Sequence, residues 1–226
     1  MSERTGFLYP FLEAEEHDAG ALLDDLAASA SAKAAQSSAL RVATLARLDA
    51  ELAVAAAAMA ARFAQGGRLL AFGNGGSSTD AAGLAARFLT APVEEPSRSL
   101  PARSLVDDQA VVTALGNDVG FDIIFARQLA AFGRPCDIAV GLSTSGSSEN
   151  LLRAFAAARA EGMLTIGFAG GDGGRMAASD DIDVCFVVQA TSIHRIQETQ
   201  AALGAELWAR THRVPGRTEP TREDAT

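Results

Sequence analysis

The strongest constraint on the fold is a regular alternation of short apolar runs with longer helical stretches, which begins after Gly66 and Gly67. The apolar runs predict strands at 68–72, 102–106, 137–142, 164–169 and 182–188. The intervening stretches predict helices at 78–89, 108–115, 121–132, 149–161 and 192–211. A helix between two strands returns the chain to the end of the sheet where the previous strand began, so the next strand runs parallel to it. This order therefore predicts an α/β fold with a largely parallel sheet, covered by helices on both faces.

The region before these strands has a different pattern, which predicts helices only. Residues 18–65 contain no proline and a single glycine, Gly20, and their apolar residues recur mostly at intervals of three and four. We predict two helices with a break near 36–38, which would form a helical hairpin. The alanine-rich stretch 53–61 would let helices approach closely, either against the main domain or against another subunit.

The predicted organisation therefore has three parts. Residues 1–65 form an N-terminal helical segment used in oligomerisation, because a helical hairpin that stayed monomeric would bury little. Residues 66–212 form the ligand-binding domain. The polar, proline-containing segment 213–226 is expected to be a flexible tail.

Composition and charge exclude several classes of function. Hydrophobic residues make up 48% of the 226 residues and charged residues 21%, which is enough for a buried core. A formal net charge of −9 would repel a phosphate backbone, so we expect no nucleic-acid partner. No apolar run reaches the roughly 18 residues of a membrane span, so we expect no membrane association. Two cysteines, Cys136 and Cys185, are too few for a disulfide framework, and we expect a cytoplasmic location.

Two loops at the ends of predicted strands indicate where a ligand would bind. The glycine loop, residues 73–77 (GNGGS), joins the first strand to a helix and would expose free backbone N–H groups at the helix start. The serine loop, residues 143–148 (STSGSS), follows the third strand and also precedes a helix. Its five hydroxyls and the helix dipole could hold a phosphate without lysine, whereas a simple N-cap needs only one hydroxyl. The chain contains neither GxxxxGK[ST] nor GxGxxG, so the predicted ligand is a phosphorylated small molecule.

Taken together, the ordered motifs resemble those of SIS-domain proteins of the phosphoheptose isomerase group, which also includes the replication-initiation factor DiaA. The motifs are GNGGS followed by Asp80 and Ala81, LPARSL, Gly116-Asn117-Asp118, STSGSS, Gly173-Gly174 and Arg195-Ile196-Gln197-Glu198. The resemblance implies a five-stranded parallel sheet flanked by helices and a homotetramer with ligand sites between subunits. It also implies a phosphate site at Ser143, Thr144, Ser145 and Ser148, and a sugar site at Asn74, Gly75, Ser77, Asp118 and Gln197.

The sequence departs from this resemblance at the catalytic positions. The resemblance implies a histidine and a glutamate four residues apart on the helix after GNGGS, where this chain has Gly83 and Arg87. It also implies a histidine eight residues after Gln197, where this chain has Ala205. Aldose–ketose isomerisation needs a general base within reach of the substrate, and these three residues supply none. We therefore expect neither a metal site nor another cofactor.

Two functions remain open on this reading. The first is a protein that binds a phosphorylated sugar, or engages a protein partner, without isomerising the sugar. The second is a sedoheptulose 7-phosphate isomerase-type enzyme in which His194 and Glu198, four apart on the last predicted helix, replace the missing groups. Arg87 reverses the local charge relative to a glutamate and would favour a carboxylate or second phosphate on the ligand, unless it is an ordinary exposed helix residue.

Overall fold

The structure is a computed structural model that describes residues 19–90 and 99–214. The chain divides into two compact units between Ala39 and Leu40. The first helix, α1 (Ala19–Arg47), begins in the first unit and ends in the second. The predicted tail at 213–226 falls largely outside the described residues, although Arg213 still belongs to the last helix.

The second unit contains the sheet and the remaining helices. Its elements are α2 (Asp49–Ala64), β1 (Leu69–Gly73), α3 (Gly76–Leu89), β2 (Ala102–Ser104), α4 (Gln109–Asp118), a short 3-10 turn (Phe121–Ile123), α5 (Ile124–Phe132), β3 (Ile138–Leu142), α6 (Glu149–Ala160), β4 (Leu164–Gly170), α7 (Gly174–Ala177), β5 (Val184–Val188) and α8 (Ile193–Arg213). The five predicted strands and their intervening helices are all present. Sequence reasoning missed α7, which is only four residues long and follows a glycine-rich turn.

All five strands are parallel and lie in the order β2-β1-β3-β4-β5. The predicted α/β fold with a five-stranded parallel sheet is therefore confirmed. The chain moves from β1 to β2 in one direction and then returns to place β3 on the other side of β1. Such a reversal opens a crevice between the carboxyl ends of β1 and β3, where ligands of open α/β sheets bind.

The core lies on both faces of the sheet. Every residue of β1, β3 and β4 is buried, as expected for strands covered by helices on both sides. Residues of α2, α3 and α8 form the apolar cluster on one face, and residues of α5 and α6 form the cluster on the other. This double cover leaves the strand ends as the accessible part of the sheet.

The N-terminal helices differ from the prediction in one respect. The expected break near 36–38 is wrong, because α1 continues to Arg47 and the interruption falls at Leu48. Residues 36–38 contain no glycine or proline that would end a helix, whereas Leu48 has φ −99° and ψ 17° and is buried in the core. None of the helices in residues 19–90 and 99–214 combines the length and apolar character of a membrane span.

Candidate functional site

The glycine loop and the serine loop meet at the crevice between β1 and β3. Leu142 pairs with Gly73, so both loops leave the sheet at the same level. Asn74 of the glycine loop and Asn150 of α6 exchange two amide hydrogen bonds, with N···O distances of 2.9 and 2.8 Å. Asn150 is buried, and this reciprocal pair fixes the two loops relative to each other. The predicted sugar-site residue Asn74 thus has a positioning contact that the sequence did not indicate.

The serine loop gathers three hydroxyls in one place. Ser143 Oγ lies 3.3 Å from Ser145 Oγ and 3.2 Å from Ser148 Oγ. Ser143 is buried, and its Oγ accepts a hydrogen bond from Gly146 N at 3.1 Å. Ser148 occupies the N-cap position of α6, but its side chain makes no capping hydrogen bond. The interpretation of the loop as a simple N-cap therefore fails, because the N-cap hydroxyl contacts another hydroxyl instead of the helix backbone.

Glycines hold the serine loop in its conformation. Gly146 has φ +62°, and a Cβ added there would come within 2.1 Å of Gly173 O. Gly174 packs equally closely, because an added Cβ would lie 2.4 Å from Ser147 Oγ. Met176 N donates to Gly146 O at 2.8 Å, so a hydrogen bond from α7 stabilises the loop. The Gly173-Gly174 motif noted in the sequence thus serves the shape of the serine loop.

Charges around the serine loop are paired. Glu149, in the first turn of α6, accepts hydrogen bonds from Arg175 at 2.7 Å and from Arg153 at 3.1 Å. These two arginines lower the pKa of Glu149 below its ordinary value, Arg175 contributing the larger effect. Arg153 also pairs with Asp122 at 2.7 Å, so two carboxylates and two arginines balance each other beside the positive end of α6.

A cleft of about 180 Å³, which we call the α3–α8 cleft, opens beside these loops. Its lining residues come from α3, α8 and the ends of β3 and β4; they are Thr79, Asp80, Gly83, Leu84, Arg87, Leu142, Phe168, Gln200, Ala201 and Gly204. The two helices approach closely at Gly204, where an added Cβ would lie 2.9 Å from Leu84 Cδ1. Gly83 and Arg87 both line the cleft, and a Cβ added at Gly83 would meet nothing within 4 Å.

Asp80 and Gln197 form the polar contact between α3 and α8. Gln197 Nε2 donates to Asp80 Oδ2 at 3.0 Å, and the absence of a side chain at Gly76 allows this approach, since a Cβ there would lie 2.5 Å from Nε2. Burial raises the pKa of Asp80 above its ordinary value of 3.8, while the hydrogen bond from Gln197 opposes that rise. Asp80 belongs to a motif of the sequence, but the sequence alone assigns it no role. What could have indicated its role in the sequence is its position, one helical turn after the glycine loop.

Gln200 is a second residue that sequence reasoning missed. Its side chain is buried, Nε2 donates to Ser143 O at 3.3 Å, and Oε1 has no hydrogen-bond partner among the described residues. The side chain also lines the α3–α8 cleft, and so it connects the serine loop to the cleft. Its spacing of three from Gln197 places both amides on the same side of α8.

The predicted substitute pair lies in a second, more open groove. His194 and Glu198 line this outer groove with Gly76, Thr79, Asp80, Gln197 and Ala201. Both side chains are exposed, and neither forms an ion pair with a described residue. Their groove shares Asp80 and Thr79 with the α3–α8 cleft, so the structure brings the pair near Gln197 as the sequence suggested.

The remaining predicted residues are placed less centrally. Ser77 is buried in the first turn of α3, and Gly75 adopts φ +54° in the turn before it. Asp118 ends α4, accepts a hydrogen bond from Asn117 Nδ2 at 2.6 Å, and lines neither the α3–α8 cleft nor the outer groove. Thr144 is half-buried, and Ala205 is half-buried on α8. In residues 19–90 and 99–214, no group of three His, Cys, Asp or Glu side chains could hold a metal ion.

Comparison with known proteins agrees with this architecture. The SIS domain family matches residues 34–170. A phosphoheptose isomerase from Roseiflexus sp. (strain RS-1) is 43% identical over 152 residues, which make up 66% of this chain and 76% of that protein.

Two solved structures extend the agreement to three dimensions. The phosphoheptose isomerase from Francisella tularensis has a TM-score of 0.76 and 32% identity, covering 85% of this chain and 98% of that chain. The phosphoheptose isomerase from Neisseria gonorrhoeae has a TM-score of 0.74 and 35% identity, covering 84% and 100%. The resemblance predicted from the ordered motifs is confirmed.

Proposed function

This chain belongs to the SIS domain family, and from that membership we propose that it binds a phosphorylated sugar through the serine loop without isomerising it. The observation that carries the proposal is the cluster of Ser143, Ser145 and Ser148 hydroxyls at the start of α6, none of which is needed to cap the helix. A phosphate there would accept hydrogen bonds from hydroxyls and from the free backbone N–H groups of the helix start. Thr144 completes the proposed phosphate site.

The sugar would extend from the phosphate toward Gln197. Gly75 and Ser77 of the glycine loop, together with Asn74, border this path, and Asp118 is the remaining predicted contact. Gln197 is a neutral amide, so it can orient a hydroxyl but cannot take up a proton. This arrangement supports binding and orientation of a sugar phosphate.

The absence of isomerisation is proposed from the residues that occupy the α3–α8 cleft. Proton transfer between adjacent carbons requires a general base near the substrate. At the two cleft positions on α3 this chain places Gly83, which has no side chain, and Arg87, a permanent cation. Ala205 on α8 adds no acid or base.

The same residues do not fit the metal that the family resemblance implies. A catalytic zinc site usually has three protein ligands and one open position. Gly83 and Ala205 supply no ligand atom, and Arg87 would repel a cation in the cleft. The cleft therefore lacks the ligands that a catalytic zinc would need at these three positions.

A melting experiment and an activity assay test the proposal together. Sedoheptulose 7-phosphate at a hundredfold excess over Kd would stabilise the fold by about 2.7 kcal/mol, which raises Tm measurably. The double variant Ser145→Ala with Ser148→Ala should lose that increase, while Ser147→Ala, whose hydroxyl accepts from Arg175 N, should retain it. Turnover to an aldose phosphate should stay at background with and without added zinc. An undiminished Tm increase in the double variant would place the phosphate elsewhere.

A second candidate function is an isomerase-type enzyme with rebuilt catalytic groups. The observation that favours it is Asp80, whose pKa is raised by burial and which shares the outer groove with His194 and Glu198. A raised pKa is one way in which proteins adapt a carboxyl group for proton transfer. Turnover that disappears in His194→Ala or Glu198→Gln would establish this candidate and reject the binding-only function.

Assembly and location form the last part of the proposal. We infer a homotetramer, supported by the family membership and by the exposed leucines of the first unit, Leu22, Leu23 and Leu26. The same exposed leucines are where a protein partner would bind if they do not join copies of this chain. A cytoplasmic setting is supported by Cys136 and Cys185, which are both free, since unpaired cysteines are typical of reducing compartments.

A further inference from the structure

Gln200 leaves a buried hydrogen-bond acceptor unpaired at the point where the serine loop meets the α3–α8 cleft. The side chain is 1% exposed, and its Nε2 is committed to Ser143 O. Because that partner is a carbonyl, the nitrogen must face it, and Oε1 is left as the unpaired atom. A buried acceptor without a donor is unfavourable, so a ligand hydroxyl that donated to Oε1 would remove a cost already present in the fold.

Arg87 adds a positive charge to the same cleft. Its side chain is exposed and makes no hydrogen bond or ion pair with a described residue, whereas Arg153 and Arg210 each contact two carboxylates. Gly83 precedes it by one helical turn and leaves open space beside it. A guanidinium with room on its cleft side can take a carboxylate in a two-point contact.

The rest of the cleft fits an uncharged, hydroxylated segment between these two groups. Leu142 and Phe168 form part of its lining at the sheet end, which lowers the local dielectric and strengthens polar contacts above it. Asp80 Oδ2 already accepts from Gln197, so the other Asp80 oxygen is available for a second hydroxyl. The acceptors thus suit ligand hydroxyls, and Arg87, the one cation among the described lining residues, suits an anionic group.

The geometry points to the α3–α8 cleft as a subsite that selects a carboxylate at the end of the ligand remote from its phosphate. This inference rests on the proposed function, because the serine loop must first hold the phosphate. The ligand class is a sugar-acid phosphate: a phosphate on the serine loop, hydroxyls at Gln200 Oε1 and Asp80, and a carboxylate on Arg87.

Isothermal titration with two matched ligands tests the inference. 6-Phosphogluconate and glucitol 6-phosphate have the same carbon chain and phosphate, and differ only in a terminal carboxylate or hydroxymethyl group. At fixed ionic strength we expect the acid to bind at least about tenfold more tightly, the usual size of a charge-assisted hydrogen bond. Arg87→Gln should abolish this preference without weakening glucitol 6-phosphate binding, and Arg87→Lys should keep part of it. Arg127→Gln, at an exposed position of α5, is the matched control and should change neither affinity.

The outcomes separate this inference from the proposed function. Equal binding of the two ligands by the unmodified protein, or a preference that persists in Arg87→Gln, overturns the carboxylate subsite while the sugar-phosphate function stands. Binding of neither ligand overturns the subsite, and it overturns the proposed function as well if sedoheptulose 7-phosphate also fails to raise Tm. Loss of both affinities in Ser145→Ala with Ser148→Ala, combined with loss of the preference alone in Arg87→Gln, supports both.

Discussion

Asp80 shows how two contacts of one residue act on its charge in opposite directions. Burial raises its pKa from the ordinary value of 3.8, and the Gln197 hydrogen bond lowers it by a smaller amount. A carboxyl group whose pKa is raised in the folded state stabilises the fold only while it is protonated. That stabilisation is complete below 3.8 and is lost as pH rises through the folded-state pKa.

Asp80→Asn should therefore stabilise the protein at neutral pH. The amide oxygen can still accept from Gln197, and the partly buried negative charge is removed. We expect the variant's Tm to exceed that of the unmodified protein at pH 7, with the difference shrinking toward zero as pH falls below 3.8. Parallel melting curves across this range measure it, with exposed Asp180→Asn as a control that shows no such trend. A lower Tm for Asp80→Asn at pH 7 would contradict this account.

At the residue scale the sequence identified the two loops but not the contacts that position them. Ser143, Ser145 and Ser148 were recognisable because hydroxyls clustered between a predicted strand and a predicted helix. The Asn74–Asn150 pair joins residues 76 positions apart, so only the folded topology could reveal it. Gln200 was equally hidden, since its unpaired Oε1 depends on where the Ser143 carbonyl points.

At the element scale, β1, β3 and β4 were readily predictable because they are buried on both faces and almost continuously apolar, whereas β2 at the edge of the sheet contains Arg103 and Ser104. The helix interruption was misplaced because alanine-rich sequence has few signals that end a helix. The packing of α2 illustrates the point: Leu52 and Met59 are fully buried, whereas Val54 on the same helix is 64% exposed. The sequence alone left open whether this helix packs on the main domain or on another subunit.

Two substitutions on α2 measure how much this helix contributes to the free energy of unfolding of the sheet domain. Leu52→Ala removes a fully buried side chain from the core and should lower the free energy of unfolding by about 2–5 kcal/mol. Val54→Ala loses little packing and gains helix propensity, so it should change stability by less than about 0.5 kcal/mol. Denaturant unfolding gives both values. A near-neutral Leu52→Ala would mean that α2 contributes little to the core.

Two glycines with nearly equal positive φ angles test whether close packing supports the serine loop. Gly146 and Gly171 have φ +62° and +65°, but an added Cβ collides with Gly173 O only at Gly146. Gly171→Ala should cost about 1 kcal/mol of left-handed strain and retain the ligand-induced increase in Tm. Gly146→Ala should cost more, because the loop and α7 must separate, and it should lose that increase. Equal effects of the two substitutions on binding would show that close packing against Gly173 does not shape the phosphate site.

At the scale of the whole molecule, the property to be tested is the number of chains that associate in solution. Within the first unit, Leu22, Leu23 and Leu26 are 43%, 66% and 57% exposed. Three large apolar side chains so close together on one helix are costly in water unless another surface covers them. The occupant we infer is a second copy of this chain, because the family resemblance implies a homotetramer.

Light scattering at micromolar concentration should therefore give a mass near four times 23.3 kDa, or about 93 kDa. Leu26→Glu places a charge in the apolar cluster and should shift the mass toward smaller species. Ala28→Glu adds the same charge at an exposed position on the opposite side of the helix, about 120–160° from the three leucines, and should leave the mass unchanged. A mass of 23.3 kDa for the unmodified protein would reject self-association. A tetramer unaffected by Leu26→Glu would instead assign assembly to another surface and leave the exposed leucines free for a protein partner.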